Sequence, residues 1–106
     1  MRDAIEAFSQ GIDYFRNNEL VQAIEAFTAA IKLDPGLAMA YNGRGAAYAL
    51  TGDTDKGIAD CNEAIRLDPE EARFYRTRSL LYRDMGDETK AEADLAKAKE
   101  LGARPE

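Results

Sequence analysis

The sequence predicts an all-α solenoid of three stacked helix pairs, because the chain repeats itself every 34 residues. Leu33-Asp34-Pro35 recurs as Leu67-Asp68-Pro69, and Tyr14 recurs as Tyr48 and Tyr82. Small residues keep the same spacing in two further registers, namely Gly11, Gly45 and Ser79, and Ala30, Ala64 and Ala98. A unit of this length that holds two amphipathic helices can bury its apolar face only against its neighbours.

Six helical segments follow from the apolar periodicity, and they are expected near residues 3–17, 20–33, 37–51, 54–67, 71–85 and 88–101. In the second segment, Ile24, Phe27 and Ile31 lie on one apolar stripe. Because no linker or low-complexity tract interrupts the pattern, the chain is expected to form one domain, residues 1–106, with repeats at approximately 4–37, 38–71 and 72–104.

Two kinds of break separate the segments. Within each pair the break contains Asn18, Gly52 or Gly86, residue types that adopt the left-handed conformation at the end of a helix. Between pairs, Asp-Pro ends the helix, because the residue before proline is excluded from the α region. Proline is tolerated in the first turn of a helix, so Pro35 and Pro69 are compatible with the start of the next one.

Composition excludes several classes of function. The net charge is −6, which disfavours binding to a nucleic-acid backbone. No apolar run approaches the roughly 20 residues that span a bilayer, and no signal peptide is visible, so we expect no membrane insertion and a cytoplasmic location. Histidine is absent, which removes the commonest general base and a common metal ligand. We therefore expect no enzymatic activity, no metal and no cofactor.

The few residues with reactive side chains have structural explanations. Cys61 is the only cysteine, so no disulfide can form within the chain, and its position on an apolar stripe indicates a packed thiol. Asp53-Thr54-Asp55 lacks the ligand spacing of a calcium loop and falls in the turn of a helix pair. The tyrosines recur with the repeat, and we expect them to be core residues.

The registers resemble those of the tetratricopeptide repeat family, and of its bacterial members in particular. The family's small, aromatic and second small residues correspond in the three repeats to Gly11, Tyr14 and Ala23, to Gly45, Tyr48 and Gly57, and to Ser79, Tyr82 and Ala91. Two positions depart from the pattern: Ala7 replaces an aromatic residue, and Ala103 replaces a third proline. The resemblance implies a right-handed superhelix of three helix-turn-helix units whose concave groove holds a peptide or helix of another protein.

The third repeat departs from the first two at the positions that should face a following repeat. Glu92 replaces Ile24 and Ile58, and Lys99 replaces Ile31 and Ile65. Terminal repeats need a polar outer face. We therefore expect the last helix to cap the array, which would then be complete with three repeats.

The family's register assigns the groove to the first helix of each pair. The residues expected to contact a partner there are Ile5, Phe8, Ile12, Phe15, Met39, Asn42, Arg73, Arg76 and Arg83, with Leu50 and Leu80 beside them. This groove would be apolar at one end, shallow in the middle and basic at the other, and would suit a segment with an apolar anchor and acidic residues. Alternatively, the arginines are ordinary surface residues that balance Glu70, Glu71 and Asp84.

One subgroup of the family binds the acidic tails of heat-shock chaperones through a clamp of two lysines, two asparagines and an arginine. The corresponding positions here are Phe8, Ile12, Gly43, Arg73 and Thr77. Because only Arg73 could serve, the resemblance does not extend to that cochaperone function.

The sequence predicts a non-catalytic protein-interaction module that binds a peptide or helix of a partner protein. The alternative is self-assembly through the apolar face of the first repeat, where Phe8, Ile12 and Phe15 could pair with a second copy. Either way the chain is expected to be a monomer or a weak homo-oligomer.

Overall fold

The computed structural model describes residues 2–102 and contains six helices and no strand within them. The helices are α1 (Arg2–Arg16), α2 (Leu20–Leu33), α3 (Ala38–Thr51), α4 (Thr54–Leu67), α5 (Ala72–Asp84) and α6 (Glu88–Gly102). Every helix end lies within one residue of the bound expected from the sequence. Ala103 and the rest of the C-terminal tail lie outside the described residues. No helix within residues 2–102 is both long enough and apolar enough to cross a bilayer.

The six helices form an all-α solenoid of three pairs. Each helix packs against its partner in the pair, and each second helix packs against the first helix of the next pair. The first helices α1, α3 and α5 also contact one another in order, whereas α2, α4 and α6 do not touch among the described residues. The first helices therefore line the inner, concave side of the array.

Glycines bring neighbouring helices close together around large apolar side chains. Phe27 of α2 is fully buried, and a methyl group placed on Gly11 of α1 or Gly43 of α3 would lie 2.6 or 2.7 Å from its ring. Leu81 of α5 is likewise buried, and a methyl group on Gly57 of α4 would lie 2.6 Å from its Cδ2. These distances are far below van der Waals contact, so each interface is built for a glycine.

One residue in the left-handed backbone region makes the turn inside each pair, as the sequence predicts. Asn18, Gly52 and Gly86 have φ values of 60°, 86° and 88°. In all three turns the next backbone N–H donates a 2.9 Å hydrogen bond to the carbonyl of the recurring tyrosine: Glu19 to Tyr14, Asp53 to Tyr48 and Asp87 to Tyr82. This bond satisfies a carbonyl that the helix end would otherwise leave free.

The turns between pairs are built around the Asp-Pro sequence. The Asp34 carboxylate accepts a hydrogen bond from the Gly36 N–H at 3.0 Å, and its equivalent Asp68 accepts one from Glu70 at 3.3 Å. Such aspartate turns compete with continuation of the helix. Pro35 lies inside the turn, ahead of α3, so the expectation that it could open the next helix is wrong.

Tyrosines of the following helix fasten these turns. The Tyr41 hydroxyl donates to the Pro35 carbonyl at 3.1 Å, and the Tyr75 hydroxyl donates to the Pro69 carbonyl at 2.9 Å. The first repeat has Ala7 at this position. The aromatic register therefore ties each first helix to the turn that precedes it.

The expectation that the tyrosines are core residues is wrong for Tyr14, which is 37% exposed. Tyr48 and Tyr82 are half-buried, because Lys56 and Lys90 lie over their rings at 5.8 and 5.4 Å. The first repeat has Gln22 at the position of these lysines.

Two buried ion pairs, which we call the arginine ties, connect successive pairs of helices. Arg44 donates twice to the Asp60 carboxylate, at 2.8 Å each, and once to the Thr28 hydroxyl at 3.1 Å. Asp60 lies in the same repeat as Arg44, whereas Thr28 lies in the preceding one. The hydrogen bond with Asp60 raises the pKa of Arg44 above its ordinary value, although burial opposes the shift.

The second tie repeats the first one 34 residues later. Arg78 donates to the Asp94 carboxylate at 2.8 and 2.9 Å and to the Asn62 side-chain oxygen at 2.8 Å. The expectation that Arg78 might be an ordinary surface residue is therefore wrong. Gln10 and Ala26 occupy these positions in the first repeat, which has no such tie.

The last helix has the polar outer side that the sequence predicts. Glu92 and Lys99 are exposed, whereas the isoleucines in their registers are half-buried: Ile24, Ile31, Ile58 and Ile65. A third helix pair that ended in isoleucines would expose them to water at a cost of about 1.5–3 kcal/mol for each side chain.

Removing Asp94 should destabilise the fold, because it leaves the largely buried Arg78 guanidinium without its anion. We expect Asp94→Ala to lower the free energy of unfolding by about 2–3 kcal/mol, as measured by urea denaturation followed by circular dichroism. The double variant Arg78→Met/Asp94→Ala should lose less than the sum of the two single variants. Arg66→Met, which breaks an exposed pair with Glu63, should have no measurable effect. Additive losses in the double variant would contradict the account of the tie.

Candidate functional site

The first repeat contributes an apolar end to the concave side, but most of it is already packed within the chain. Phe8 lies tilted against Phe27, with ring centroids 5.8 Å apart, and it packs against the core formed around Ala40. Ile12 and Phe15 are half-buried. Ile5 differs from them, since it is 53% exposed.

The middle of the concave side is contributed by α3. Met39 and Asn42 are half-buried, and Gly43 lies directly over the Phe27 ring. Leu50, near the end of α3, is 60% exposed. The floor is therefore shallow at Gly43 and offers an aliphatic side chain at Leu50.

Asn42 carries an unpaired polar atom. Its side-chain oxygen is shielded from solvent and has no hydrogen-bond partner in the structure. A buried acceptor without a donor costs about 1–3 kcal/mol. Native proteins tolerate few such groups, and one on a concave surface is a point where an added donor would be stabilising.

Arg73 opens the basic end on α5, and it is already paired. Its guanidinium donates to both Glu71 carboxylate oxygens at 3.0 and 3.1 Å, and the same carboxylate accepts the Arg73 backbone N–H at 3.2 Å. The hydrogen bond from the Arg73 side chain lowers the pKa of Glu71. Glu71 therefore caps α5 and engages Arg73 at the same time.

The other two arginines expected at this end are less constrained. Arg83 is 48% exposed on its side chain and lies 3.9 Å from a Glu88 oxygen, a weak pairing geometry. Arg76 is exposed and forms no ion pair among the described residues. Leu80, one turn after Arg76, is 55% exposed.

The structure thus divides the nine residues expected at this surface. Ile5, Arg76 and Arg83 are open, four others are half-buried on α1 and α3 besides Phe8, and Arg73 is held by Glu71. Leu50 and Leu80, more than half exposed, add two apolar contacts that receive less weight from the register alone. The signal for the ties was present in the sequence, because Arg44 and Asp60 recur as Arg78 and Asp94.

Two shallow depressions lie away from the concave side. One is lined by residues 52–56, and the other by Gln10, Asp13, Tyr14, Asn17 and Glu19. Both sit at the turns inside helix pairs. In the described part of the chain, no group of three or more cysteine and carboxylate side chains is placed to hold a metal ion.

Comparison with known proteins bears on the fold. Family models described as tetratricopeptide repeat match residues 8–72 and residues 72–101. A search of curated proteins finds no match.

Several solved structures are similar to this chain. The TPR2B domain of yeast Sti1 in its pHsp70 complex is 32% identical, with a TM-score of 0.93 over 97% of this chain and 82% of that one. MamA is 30% identical, with a TM-score of 0.86 over 94% of this chain and 58% of that one. The first TPR of Spaghetti (RPAP3), bound to the HSP90 peptide SRMEEVD, is 22% identical, with a TM-score of 0.93 over 98% and 82%, and shows the fold alone.

Cys61 should be unreactive in the folded protein. It is fully buried, and burial raises the pKa of its thiol to about 12, so the reactive thiolate is almost absent near pH 8. We expect Ellman's reagent to modify it slowly when the protein is native and at once when it is denatured. Complete reaction of the native protein within the mixing time would contradict this packing.

Asn42→Leu should stabilise the free protein by about 1 kcal/mol, because it removes the unpaired buried oxygen. The matched control is Asn62→Leu, which deletes an oxygen that accepts from Arg78 and should lower stability. Urea denaturation of both variants tests the contrast. A loss of stability at Asn42 equal to that at Asn62 would show that the Asn42 amide is satisfied in solution.

Proposed function

Because the chain belongs to the tetratricopeptide repeat family, we propose that it is a non-catalytic protein-interaction module. Its ligand is a peptide segment of a partner protein, held in the concave groove along α1, α3 and α5.

The observation that carries the proposal is the set of exposed aliphatic side chains on the first helices. α1 presents Ile5, α3 presents Leu50 and α5 presents Leu80, each more than half exposed. An aliphatic side chain gains about 1.5–3 kcal/mol when it is fully buried. One such residue on each inner helix gives a bound segment an apolar contact in every repeat.

The solved neighbours support a peptide as the ligand class. The yeast Sti1 domain, which is 32% identical, is described in a pHsp70 complex. The chaperone-tail clamp is not the mode proposed here, since Phe8, Ile12 and Gly43 replace its lysine and asparagine positions and Arg73 is engaged by Glu71. The proposal therefore takes the ligand class from the neighbours and the contacts from this chain.

Asn42 adds a polar contact in the middle of the groove. Its oxygen has no partner in the free protein, and a 180° rotation of the amide would exchange the oxygen and nitrogen positions. A peptide backbone provides donors and acceptors that match either orientation. Binding would then satisfy a group that the free protein leaves unpaired.

Self-assembly through the first repeat has less support. Phe8 packs on Phe27, while Ile12 and Phe15 are half-buried within the chain. Ile5 alone gives a small patch, and stable dimers bury far more apolar surface than one side chain can supply.

The test uses peptides selected from a random display library, with binding mapped by ¹⁵N NMR titration. We expect the shifted amides to lie on α1, α3 and α5. Leu50→Glu should weaken binding at least about fivefold, because it places a charge at an apolar contact. The matched control is Val21→Glu on α2, which is 65% exposed and should change affinity by less than about twofold.

Shifts confined to α2, α4 and α6, or equal losses in the two variants, would overturn the groove as the binding site. A library that yields no binder would overturn the peptide-binding function. Circular dichroism of each variant confirms that a loss of binding is not a loss of fold.

A further inference from the structure

The four arginines of α5 have different structural roles. Arg78 is consumed by its buried pair with Asp94 and its hydrogen bond to Asn62. Arg73 is held by both oxygens of Glu71. Neither guanidinium can meet a new anion without giving up a charged partner, and loss of such a hydrogen bond costs about 1.5–3 kcal/mol.

Arg76 is the open cation of the helix. It is exposed, and no carboxylate among the described residues forms an ion pair with it. A methyl group on Gly102 would lie 3.7 Å from its Nη2, so the guanidinium reaches toward the end of α6. Arg83 is second in availability, because its distance to Glu88 is 3.9 Å.

Arg76, Leu80 and Arg83 lie on one face of α5. Their spacings of four and seven residues bring them into line along the helix, with the exposed Leu80 between the two charges. Leu80 shares its register with Ile12 and Ala46, which are half-buried. Within the described residues no helix pair follows α6, so nothing covers this part of α5.

We propose that Arg76, Leu80 and Arg83 form an acid-recognition stripe, and that the segment bound in the groove carries two acidic side chains with an aliphatic residue between them. The inference rests on the peptide-binding function and specifies its partner. Arg76 supplies most of the charge recognition, Leu80 supplies the apolar contact, and Arg83 reinforces it.

The geometry of the stripe sets the spacing of the acidic residues. Seven residues of α-helix rise about 10.5 Å, and an extended chain covers that distance in about three residues. An extended segment with Asp or Glu three positions apart therefore places one carboxylate at each arginine. Arginine suits this role, because its planar guanidinium binds a carboxylate through two parallel hydrogen bonds.

Charge complementarity favours this occupant over a further stacked helix. A stacked helix would pack mainly on α6, as α3 packs on α2 and α5 packs on α4. The outer side of α6 carries the exposed Glu92 and Lys99 in place of isoleucines. An apolar helix face gains little there, whereas an acidic segment along α5 meets an exposed leucine between two arginines.

The recognised groups are side-chain carboxylates and not a chain terminus. A terminal carboxylate needs donors that converge on one point, and the first two repeats place Phe8, Ile12 and Gly43 where such donors would lie. The stripe instead spreads its two charges along a helix. Blocking the C-terminus of the ligand should therefore leave binding intact.

The experiment is selection of C-terminally amidated random peptides on the folded chain, followed by fluorescence anisotropy of the selected peptides at low and high salt. We expect enrichment of Asp or Glu pairs three residues apart that flank an aliphatic residue. Arg76→Gln should weaken these peptides about tenfold, and the affinity of the native chain should fall with salt. Free-acid and amidated forms of one peptide should bind equally.

A matched control and a charge reversal sharpen the test. Arg66→Gln removes the same charge from α4 and should leave affinity within about twofold, since Arg66 is already paired with Glu63. Replacing the acidic residues of the peptide by amides should cost little in the Arg76→Gln chain, because the partner is already gone. Selection on Arg76→Glu should enrich Lys and Arg instead.

The outcomes separate this inference from the function it rests on. Selected peptides that shift amides on α1, α3 and α5 but lack acidic residues, or that ignore Arg76→Gln, overturn the acid-recognition stripe and leave the groove standing. A strong preference for the free-acid form overturns the assignment to side-chain carboxylates. Failure to select any peptide that binds the groove overturns both proposals.

Discussion

The contact of Phe27 with Gly11 and Gly43 determines how the first two helix pairs fit together. The ring fills the space between α1 and α3, which approach so closely that neither position has room for a Cβ atom. Leu81 and Gly57 form the corresponding contact between the second and third pairs. Because each pair can bury its apolar side only against a neighbour, these contacts decide both the stability of the array and the spacing of its inner helices. The concave groove follows from that spacing.

The arginine ties add direction to this packing. A bidentate arginine–carboxylate pair restrains orientation more than an apolar contact does, and each tie also binds the preceding repeat. The ties also explain the chemistry of the groove. Because Arg78 is used to join repeats and Arg73 is used with the cap of α5, the charge left for a ligand is concentrated at Arg76 and Arg83.

The fold could be predicted from the sequence because its determinants are local and repeat. The left-handed residues Asn18, Gly52 and Gly86 and the aspartates before Pro35 and Pro69 end their helices through short-range geometry, so the helix bounds were predictable to one residue. The distribution of partners among the arginines was not. Helical neighbour rules pair residues three or four apart, whereas Arg44 and Arg78 find their aspartates 16 positions away. The exposure of Tyr14 also depends on what covers it, which periodicity alone does not reveal.

The central claim is that a bound segment lies along the inner helices and contacts their exposed aliphatic side chains. The most direct measurement is isotope-filtered NMR of the labelled chain with an unlabelled selected peptide, read through intermolecular NOEs to methyl groups. We predict NOEs from the peptide to the methyl groups of Ile5, Leu50 and Leu80. NOEs to Val21 and Leu33 of α2, with none to those three residues, would contradict the account.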